Sequence, residues 1–318
     1  MRLVSFVLTS ALAICACAPS AERAAAPACA TAETLASYPN GQFLENLIVE
    51  PNGRVLFTSY FARAVESYLP GQEAATFAPI NAYPVAIAAY PGGYIVTAHG
   101  APFSEGPAFT QTKVVLLLDS AGREIARIPA PDARFLNGIG ALPDGTFLIA
   151  DSIAARIWRF DPTARTLSVW LEAPELAPDA TGADQRPGAN GVEVVGDAVL
   201  ISNSFRGAVY RVALGADNGP DGALTLVGEP GAVDDFAVAP DGSIYLATHR
   251  NTLLRLGSDG AVTTVLPEGA DGSTAVALTP DGDALYALTT GALFEGGREQ
   301  AKLLRVPLPG GDDLCRAE

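Results

Sequence analysis

Apolar and polar positions alternate along most of the chain in a pattern that recurs six times. Each copy opens with small or polar residues, alternates apolar positions, turns at Pro-x-Gly or Gly-Asp, and returns through β-branched and aromatic residues. Alternation on both sides of a short glycine-containing turn predicts a two-stranded hairpin. The six copies of 17 residues occupy 43–59, 83–99, 135–151, 188–204, 232–248 and 272–288.

Further strand-like runs follow the hairpins and complete a larger unit. Third runs such as RIWRFD and AVYRVAL share an arginine at one place, which is Arg159, Arg211, Arg255 or Arg305. A fourth run follows each of the first five units. Four short strands that recur about every 40–50 residues are typical of a β-propeller. We therefore predict an all-β, six-bladed β-propeller with four-stranded blades.

The sixth unit lacks its fourth run, and a run of suitable composition, ETLASYP at 33–39, precedes the first unit. We expect the N-terminal strand to complete the last blade, since pairing it with the C-terminal strand removes exposed edges. This closure would also bring Cys29 and Cys315 within bridging distance. A disulfide there would stabilise the fold by roughly 4–5 kcal/mol and needs an oxidising compartment; two free thiols are the alternative.

The first residues indicate export. Residues 1–17 carry one basic residue and an apolar stretch too short to span a bilayer permanently, which is typical of a signal peptide. The run Ile-Cys-Ala-Cys ending at Cys17 resembles a bacterial lipoprotein processing box, with Cys17 as the lipidated residue; simple secretion is the alternative. Residues 18–30 would form an Ala- and Pro-rich tether, and 31–318 the single propeller, which is periplasmic or anchored to a membrane.

Charge narrows the choice of partners. Acidic residues outnumber basic residues 35 to 20, and the formal net charge is -15. An anionic surface disfavours nucleic acid and anionic lipid headgroups. We expect a monomer that binds a small molecule and touches a membrane only through its lipid anchor.

The third residue of each 17-residue copy is the strongest candidate for chemistry, because rotation places equivalent positions around one central channel. Four of the six are hard oxygen donors that suit one divalent cation, with Ca²⁺ favoured and Mg²⁺, Mn²⁺ or Zn²⁺ as alternatives. Asn and Asp also open strands because they favour turns, which is the structural alternative. The six residues are Glu45, Val85, Asn137, Asn190, Asp234 and Thr274.

The same rim carries the ends of the second strands, and both histidines of the chain lie there. A channel mouth with convergent polar groups is the default ligand site. Strict strand alternation would point Asp235 away from Asp234, which leaves Asp235 as a group for proton transfer. The residues that we predict to bind substrate are Asn46, Tyr60, His99, Asp151, Asn203, Phe205 and His249.

These motifs resemble those of the gluconolactonase, senescence-marker-protein (regucalcin) and luciferin-regenerating-enzyme superfamily of six-bladed propellers, in a divergent secreted branch. The matching features are Glu45, Phe-Leu-Asn-Gly at 135–138, Asn-Gly at 190–191 and Asp234. Val-Asp-Asp-Phe at 233–236 departs from that family's usual Pro-Asp-Gly. The resemblance implies that Glu45, Asn137, Asn190 and Asp234 bind one divalent cation and that the aspartate acts as the base.

The activity that the resemblance implies is hydrolysis of a lactone or ester in the channel, with Asp234 or Asp235 as the catalytic residue that accepts a proton. Two other classes remain open. One is a ligand-binding propeller of the cell envelope without catalysis. The other is an isomerase or cyclase that orients an apolar substrate among Tyr60, Phe205 and Phe236.

Overall fold

The structure is a computed structural model that describes residues 31–103, 112–179 and 187–308. Within these ranges, 24 strands form six antiparallel sheets of four strands. The predicted signal peptide, the predicted lipidation site Cys17, the predicted tether and the predicted disulfide partners Cys29 and Cys315 lie outside the described residues. The described part of the chain contains no helix with the length and apolar character needed to cross a membrane.

The strands of the first three blades follow chain order from the channel outward. Blade 1 contains β2 (Leu44–Val49), β3 (Val55–Ser59), β4 (Ala64–Tyr68) and β5 (Ala75–Pro79). Blade 2 contains β6 (Tyr83–Tyr90), β7 (Gly93–His99), β8 (Lys113–Asp119) and β9 (Glu124–Pro129). Blade 3 contains β10 (Leu136–Ala141), β11 (Phe147–Asp151), β12 (Arg156–Asp161) and β13 (Thr166–Glu172).

The remaining blades repeat this order, and the last one takes its outer strand from the N-terminus. Blade 4 contains β14 (Ala189–Val195), β15 (Ala198–Asn203), β16 (Ala208–Leu214) and β17 (Pro220–Gly228). Blade 5 contains β18 (Phe236–Val238), β19 (Ile244–Ala247), β20 (Leu253–Leu256) and β21 (Val262–Leu266). Blade 6 contains β22 (Ser273–Leu278), β23 (Ala284–Thr289), β24 (Ala301–Pro307) and β1 (Glu33–Tyr38). Two 3-10 turns, Pro174–Leu176 and Leu293–Glu295, lie in connections.

The predicted closure of the ring is confirmed. Strand β1 pairs antiparallel with β24, with Glu33 opposite Arg305 and Tyr38 opposite Ala301. Apolar side chains from adjacent blades pack against each other, as Ile95 of blade 2 does with Phe147 and Trp158 of blade 3. The core therefore lies between blades, so each sheet is covered on both faces.

The shared arginine of the third strands has a structural explanation. Each one pairs with an acidic residue in the hairpin turn of its own blade, namely Asp144 with Arg159, Asp197 with Arg211, Asp241 with Arg255 and Asp283 with Arg305. Exposed pairs of this kind contribute about 0–1 kcal/mol each. The hairpin turns at this rim, opposite the channel mouth that carries the candidate residues, are thus held by structural ion pairs.

The inner strands are irregular at the position that the repeat singled out. Pairing with the second strand breaks between Leu44 and Leu47, between Pro84 and Ile87, and at the matching places of β10, β14 and β22. In blade 5, Asp234 and Asp235 precede the short inner strand altogether. A bulge redirects side chains relative to a regular strand, and here it lies at the channel mouth.

In three of these bulges, a hydroxyl group on the second strand accepts a hydrogen bond from a backbone N–H of the bulge. The same hydroxyl group donates to a backbone carbonyl of the next blade. In blade 1, Thr58 Oγ1 accepts the N–H of Asn46 at 3.1 Å and donates to the carbonyl oxygen of Val85 in blade 2 at 2.7 Å. We call this arrangement the hydroxyl clamp. One hydroxyl group thereby bonds to a backbone N–H at the bulge of its own blade and to a backbone C=O at the bulge of the next blade, both of which lack a regular strand partner.

The same clamp recurs in blades 2 and 4. Thr97 Oγ1 accepts the N–H of Ala86 at 3.0 Å and donates to the carbonyl of Asn137 at 3.2 Å. Ser202 Oγ accepts the N–H of Gly191 at 2.7 Å and donates to the carbonyl of Asp234 at 2.6 Å. The backbone of a candidate ligand residue is thus held by the preceding blade in two of the three clamps.

We expect Thr58→Val to destabilise the fold by about 2–3 kcal/mol, because it leaves a buried N–H and a buried C=O without partners while keeping the side-chain shape. Urea unfolding would measure the loss. Thr166→Val, at an exposed position of β13, is the matched control and should change stability by less than about 0.5 kcal/mol. Equal effects of the two substitutions would contradict the clamp.

Candidate functional site

The four predicted oxygen donors lie buried at the upper mouth, where the inner strands begin. The Nδ2 atom of Asn190 contacts Oδ1 of Asp234 and donates to Ser204 Oγ at 2.9 Å. Asn137 Nδ2 donates to Ser152 Oγ at 3.1 Å. The described hydrogen bonds of both amide groups are made by their nitrogens, which fixes the oxygens as the atoms available to a cation.

The Asn-Gly pairs explain how the inner strands come so close together. A Cβ atom at Gly138 would lie 2.5 Å from the backbone oxygen of Asn190, and one at Gly191 would collide with Oδ1 of Asp235. Only glycine permits this approach of neighbouring blades. The motif therefore brings the ligand candidates of blades 3, 4 and 5 side by side.

Three carboxyl groups share this low-dielectric mouth, and we call Glu45, Asp234 and Asp235 the carboxylate cluster. Burial, together with the charges of Asp234 and Asp235, raises the pKa of Glu45 well above its usual range. Burial also raises the pKa of Asp235 to about 7, with the charge of Asp234 adding to the shift and hydrogen bonds from Phe236 and Asn46 opposing it. Like charges in one buried site oppose ionisation, and a bound cation would relieve that opposition.

One oxygen atom of the cluster, Oε2 of Glu45, is inaccessible to solvent and lacks a hydrogen bond from any described residue. Oδ2 of Asp234 is equally buried, and its neighbouring donor among the described residues is the His249 ring. The described residues contain no group of three or more His, Cys, Asp or Glu side chains arranged to hold a metal ion. The predicted set has only two such side chains, Glu45 and Asp234, and its other two donors are amides.

The position of Asp235 differs from the expectation of strict alternation. Its Oδ2 accepts a hydrogen bond from Asn46 Nδ2 at 2.5 Å, and its Oδ1 accepts one from the N–H of Phe236 at 2.8 Å. Its charge also acts on Glu45, as does that of Asp234. Because both aspartates precede β18, the alternation of a regular strand does not apply, and both side chains face the same cluster.

His249 joins the cluster from the end of β19. Its Nε2 lies 2.9 Å from Oδ2 of Asp234, and the side chain is 31% exposed. Although burial favours the neutral ring, the charges of Asp234 and Glu295 raise the pKa of His249. The residue has a φ of 57°, a left-handed conformation that costs energy for a residue with a Cβ atom. This strained backbone conformation of His249 occurs where its imidazole contacts the carboxylate of Asp234.

His99 and Tyr60 are sealed inside the wall of the mouth. Nε2 of His99 lies 3.3 Å from the carbonyl oxygen of Leu136, and Nδ1 lies 3.3 Å from the Tyr60 hydroxyl. A carbonyl can only accept, so Nε2 carries the proton and the tyrosine donates to Nδ1. Burial and the nearby Lys113 lower the pKa of His99 well below its usual range. Both side chains are fully buried, which favours support of the wall over direct contact with a ligand.

Asp151 and Asn203 are occupied by the protein itself. The Asp151 carboxylate accepts hydrogen bonds from the Trp158 indole and from four backbone N–H groups, those of Arg134, Phe135, Ile153 and Ala154. The Asn203 amide donates to the carbonyls of Glu175 and Ala177 and accepts from Arg206. These two residues hold loops of the rim. Phe205 lies partly buried beside them.

Sequence reasoning missed Glu193, which is also in the neighbourhood of the cluster. Burial and the charge of Asp235 raise the pKa of Glu193 to about 8. It follows Asn190 by three residues on β14, after the bulge, and the matching places of other inner strands carry Ile48, Ala88, Gly140, Ala237 and Ala277. A comparison of the six equivalent positions would have identified Glu193, because it is the only charged residue among them.

Comparison with known proteins gives relatives through structure alone, since neither a protein-family model nor a curated sequence matches the chain. A luciferin-regenerating enzyme has a TM-score of 0.66 at 13% identity, covering 91% of this chain and 97% of that chain. A gluconolactonase from Xanthomonas campestris has 0.63 at 13%, covering 88% and 90%. Regucalcin from Agrobacterium tumefaciens, named a calcium-binding protein, has 0.60 at 14%, covering 89% and 95%.

Solved structures named for the superfamily that the sequence resembles are therefore among those that this chain resembles. The similarity extends over nearly the whole described ring. At these identities the shared property is the six-bladed fold.

We expect Glu45→Gln to raise the stability of the protein in EDTA at pH 8. The folded-state pKa of Glu45 lies above its usual value, so ionisation opposes folding, and this penalty is absent below the unfolded-state pKa and grows as pH rises above it. Thermal unfolding would measure the gain, about 2 °C or more for each kcal/mol relieved. A gain that is equally large at pH 4 would contradict the electrostatic cause.

We expect Asp151→Asn to destabilise the fold by about 2–4 kcal/mol, because the new NH₂ group would face the donors that the carboxylate now accepts. Urea unfolding would measure this loss. The opposite result, unchanged stability with weakened ligand binding, would restore Asp151 as a substrate-binding residue.

Proposed function

We propose that the protein is a divalent-metal-dependent hydrolase that acts on a lactone or ester at the upper mouth of the channel. The observation that carries the proposal is the buried carboxylate cluster, in which one oxygen atom of Glu45 receives no hydrogen bond from a described residue. Such an arrangement is unfavourable in isolation. It is favourable where a cation supplies the missing positive charge.

The residues present fit a hard divalent cation. Glu45 offers an orphaned carboxylate oxygen and Asp234 offers a second buried carboxylate, and Asn137 and Asn190 offer amide oxygens whose partner nitrogens are bonded elsewhere. Carboxylate and amide oxygens suit Ca²⁺ best among the common ions. When bound, the cation would polarise the carbonyl of the substrate and lower the pKa of a bound water molecule.

The chain itself would supply proton transfer and orientation. Asp235 is the carboxyl group of the cluster that does not belong to the four predicted ligands, and it lies close enough to them to accept a proton as a general base. Asn46 holds its carboxylate from one side at 2.5 Å, and the N–H of Phe236 holds it from the other at 2.8 Å. His249 lies against Asp234 and keeps that carboxylate oriented. In this scheme Asp234 is a ligand and Asp235 is the base.

Similar structures support the reaction class and the ion without establishing either. One of them is a gluconolactonase and another is named a calcium-binding protein. We extend both properties to this chain as part of the proposal. Export to the periplasm, the lipid anchor at Cys17 and the monomeric state stay predictions from the sequence.

The second candidate is a propeller that binds a ligand without catalysis. The aromatic side chains at the mouth favour this candidate, since they can hold a ligand without any reaction. An isomerase or cyclase would use the same side chains. Turnover of lactones in ¹⁸O-labelled water separates hydrolysis from both alternatives, because only hydrolysis places the label in the product.

We expect the purified protein to hold about one divalent ion per chain by elemental analysis after exposure to Ca²⁺. Glu45→Ala and Asp234→Ala should each weaken Ca²⁺ binding at least about tenfold in isothermal titration calorimetry, because each removes a charged ligand. Glu66→Gln, a change at a buried glutamate bonded to Thr76 on the outer side of blade 1, is the matched control. Unchanged ion content in both site variants would refute the metal-dependent proposal.

A further inference from the structure

Aromatic side chains gather on one side of the channel mouth, over blade 1. Ring centroids of Phe43 and Phe294 are 5.1 Å apart, those of Tyr60 and Phe103 are 5.2 Å apart, and those of Phe61 and Phe103 are 5.6 Å apart. We call these five residues the aromatic wall. Edge-on and tilted contacts at such distances stabilise a preformed aromatic surface.

Two long connections build this wall together with blade 1. Phe103 belongs to the connection between β7 and β8 of blade 2, and Phe294 belongs to the 3-10 turn Leu293–Glu295 between β23 and β24 of blade 6. Blades 2 and 6 flank blade 1, and the two rings meet above it at 5.9 Å. The wall is thus assembled from three blades at one point of the ring.

The aromatic wall borders the carboxylate cluster. Phe43 precedes Glu45 by two residues, and the charge of Glu45 contributes to the raised pKa of Tyr60. The ring of Phe294 lies 6.4 Å from that of His249, whose Nε2 lies 2.9 Å from Asp234. A small molecule whose carbonyl reaches the cluster would therefore place its remainder against these rings.

Phe61, Phe103 and Phe294 provide the accessible apolar surface of the wall, and the buried rings of Phe43 and Tyr60 support it. Phe294 is 51% exposed although apolar contacts surround its other face. The hydroxyl group of Tyr60 is already used, since it accepts from the N–H of Phe103 and bonds to His99. A polyhydroxylated ring would find few partners on this side, whereas an aromatic ring would cover exposed apolar surface. The carboxylates next to it disfavour an anionic substrate.

We propose that the aromatic wall is a specificity site that binds an aromatic ring of the substrate, so that the preferred substrate is a neutral lactone or ester with such a ring near its carbonyl. This inference rests on the proposed function for the reacting group. The binding of the ring itself depends only on the wall.

The test compares two lactones that differ by one phenyl group, α-phenyl-γ-butyrolactone and γ-butyrolactone, with the Ca²⁺-loaded protein. We expect kcat/KM to be at least about tenfold higher for the phenyl compound, and we expect Phe294→Ala to reduce that ratio about five- to tenfold, in line with one lost aromatic contact. Leu226→Ala is the matched control, since Leu226 is 53% exposed on the outer strand β17. A ratio near one, or one that Phe294→Ala leaves unchanged, would overturn the inference while leaving lactone hydrolysis intact.

A binding measurement keeps the inference testable if neither lactone is turned over, a result that would count against the proposed function alone. Saturation-transfer NMR would compare 2-phenylcyclopentanone with cyclopentanone, which cannot be hydrolysed. We expect tighter binding of the phenyl ketone by about tenfold and loss of that preference in Phe294→Ala. Equal binding of the two ketones would overturn the inference, and near-UV circular dichroism of the variant would show whether the fold is intact.

Discussion

The contact between one inner strand and the next is the constraint on which the rest of this structure depends. A propeller brings its inner strands together around an axis, and any residue that points into the channel must leave the regular pairing of its own sheet. In this chain a bulge does so, and Thr58, Thr97 and Ser202 take over the backbone groups that the bulge releases. Because the same hydroxyl groups bond to the following blade, the device that opens the strand also joins the ring.

That arrangement affects both the positions of the carboxyl groups at the mouth and the stability of the fold. The carbonyl group of Asp234 is held by Ser202 of the preceding blade, and Glu45 and Asp235 share the buried surroundings of its carboxylate. Burial and the negative charges of neighbouring carboxylates raise the pKa of Glu45 and of Asp235. Ionisation of the cluster therefore opposes folding. Function at this mouth is thus opposed to stability, as is common where charged groups are preorganised.

Much of the fold was predictable from the sequence because the hairpin pattern occurs six times along the chain. Periodicity identified the hairpins, the missing fourth run identified the closing strand, and rotational equivalence predicted one site for Glu45, Asn137, Asn190 and Asp234, of which Asn190 and Asp234 are in contact. Asp235 was placed on the wrong face because alternation holds only within a regular strand, and the residue lies before β18. Asp151 and Asn203 have the composition of ligand contacts, yet their bonds to loop backbone appear only in three dimensions. Phe294 and Phe103 lie in connections outside the repeat, so no internal copy drew attention to them.

The pairing of β1 with β24 has a consequence for how the molecule is made. Of the described strands, the first in the chain must pair with the last. Until that pairing forms, blade 6 is incomplete and the ring is open. The cluster can therefore reach its final geometry only after synthesis of the whole ring, and a chain released early would carry the right residues without a site.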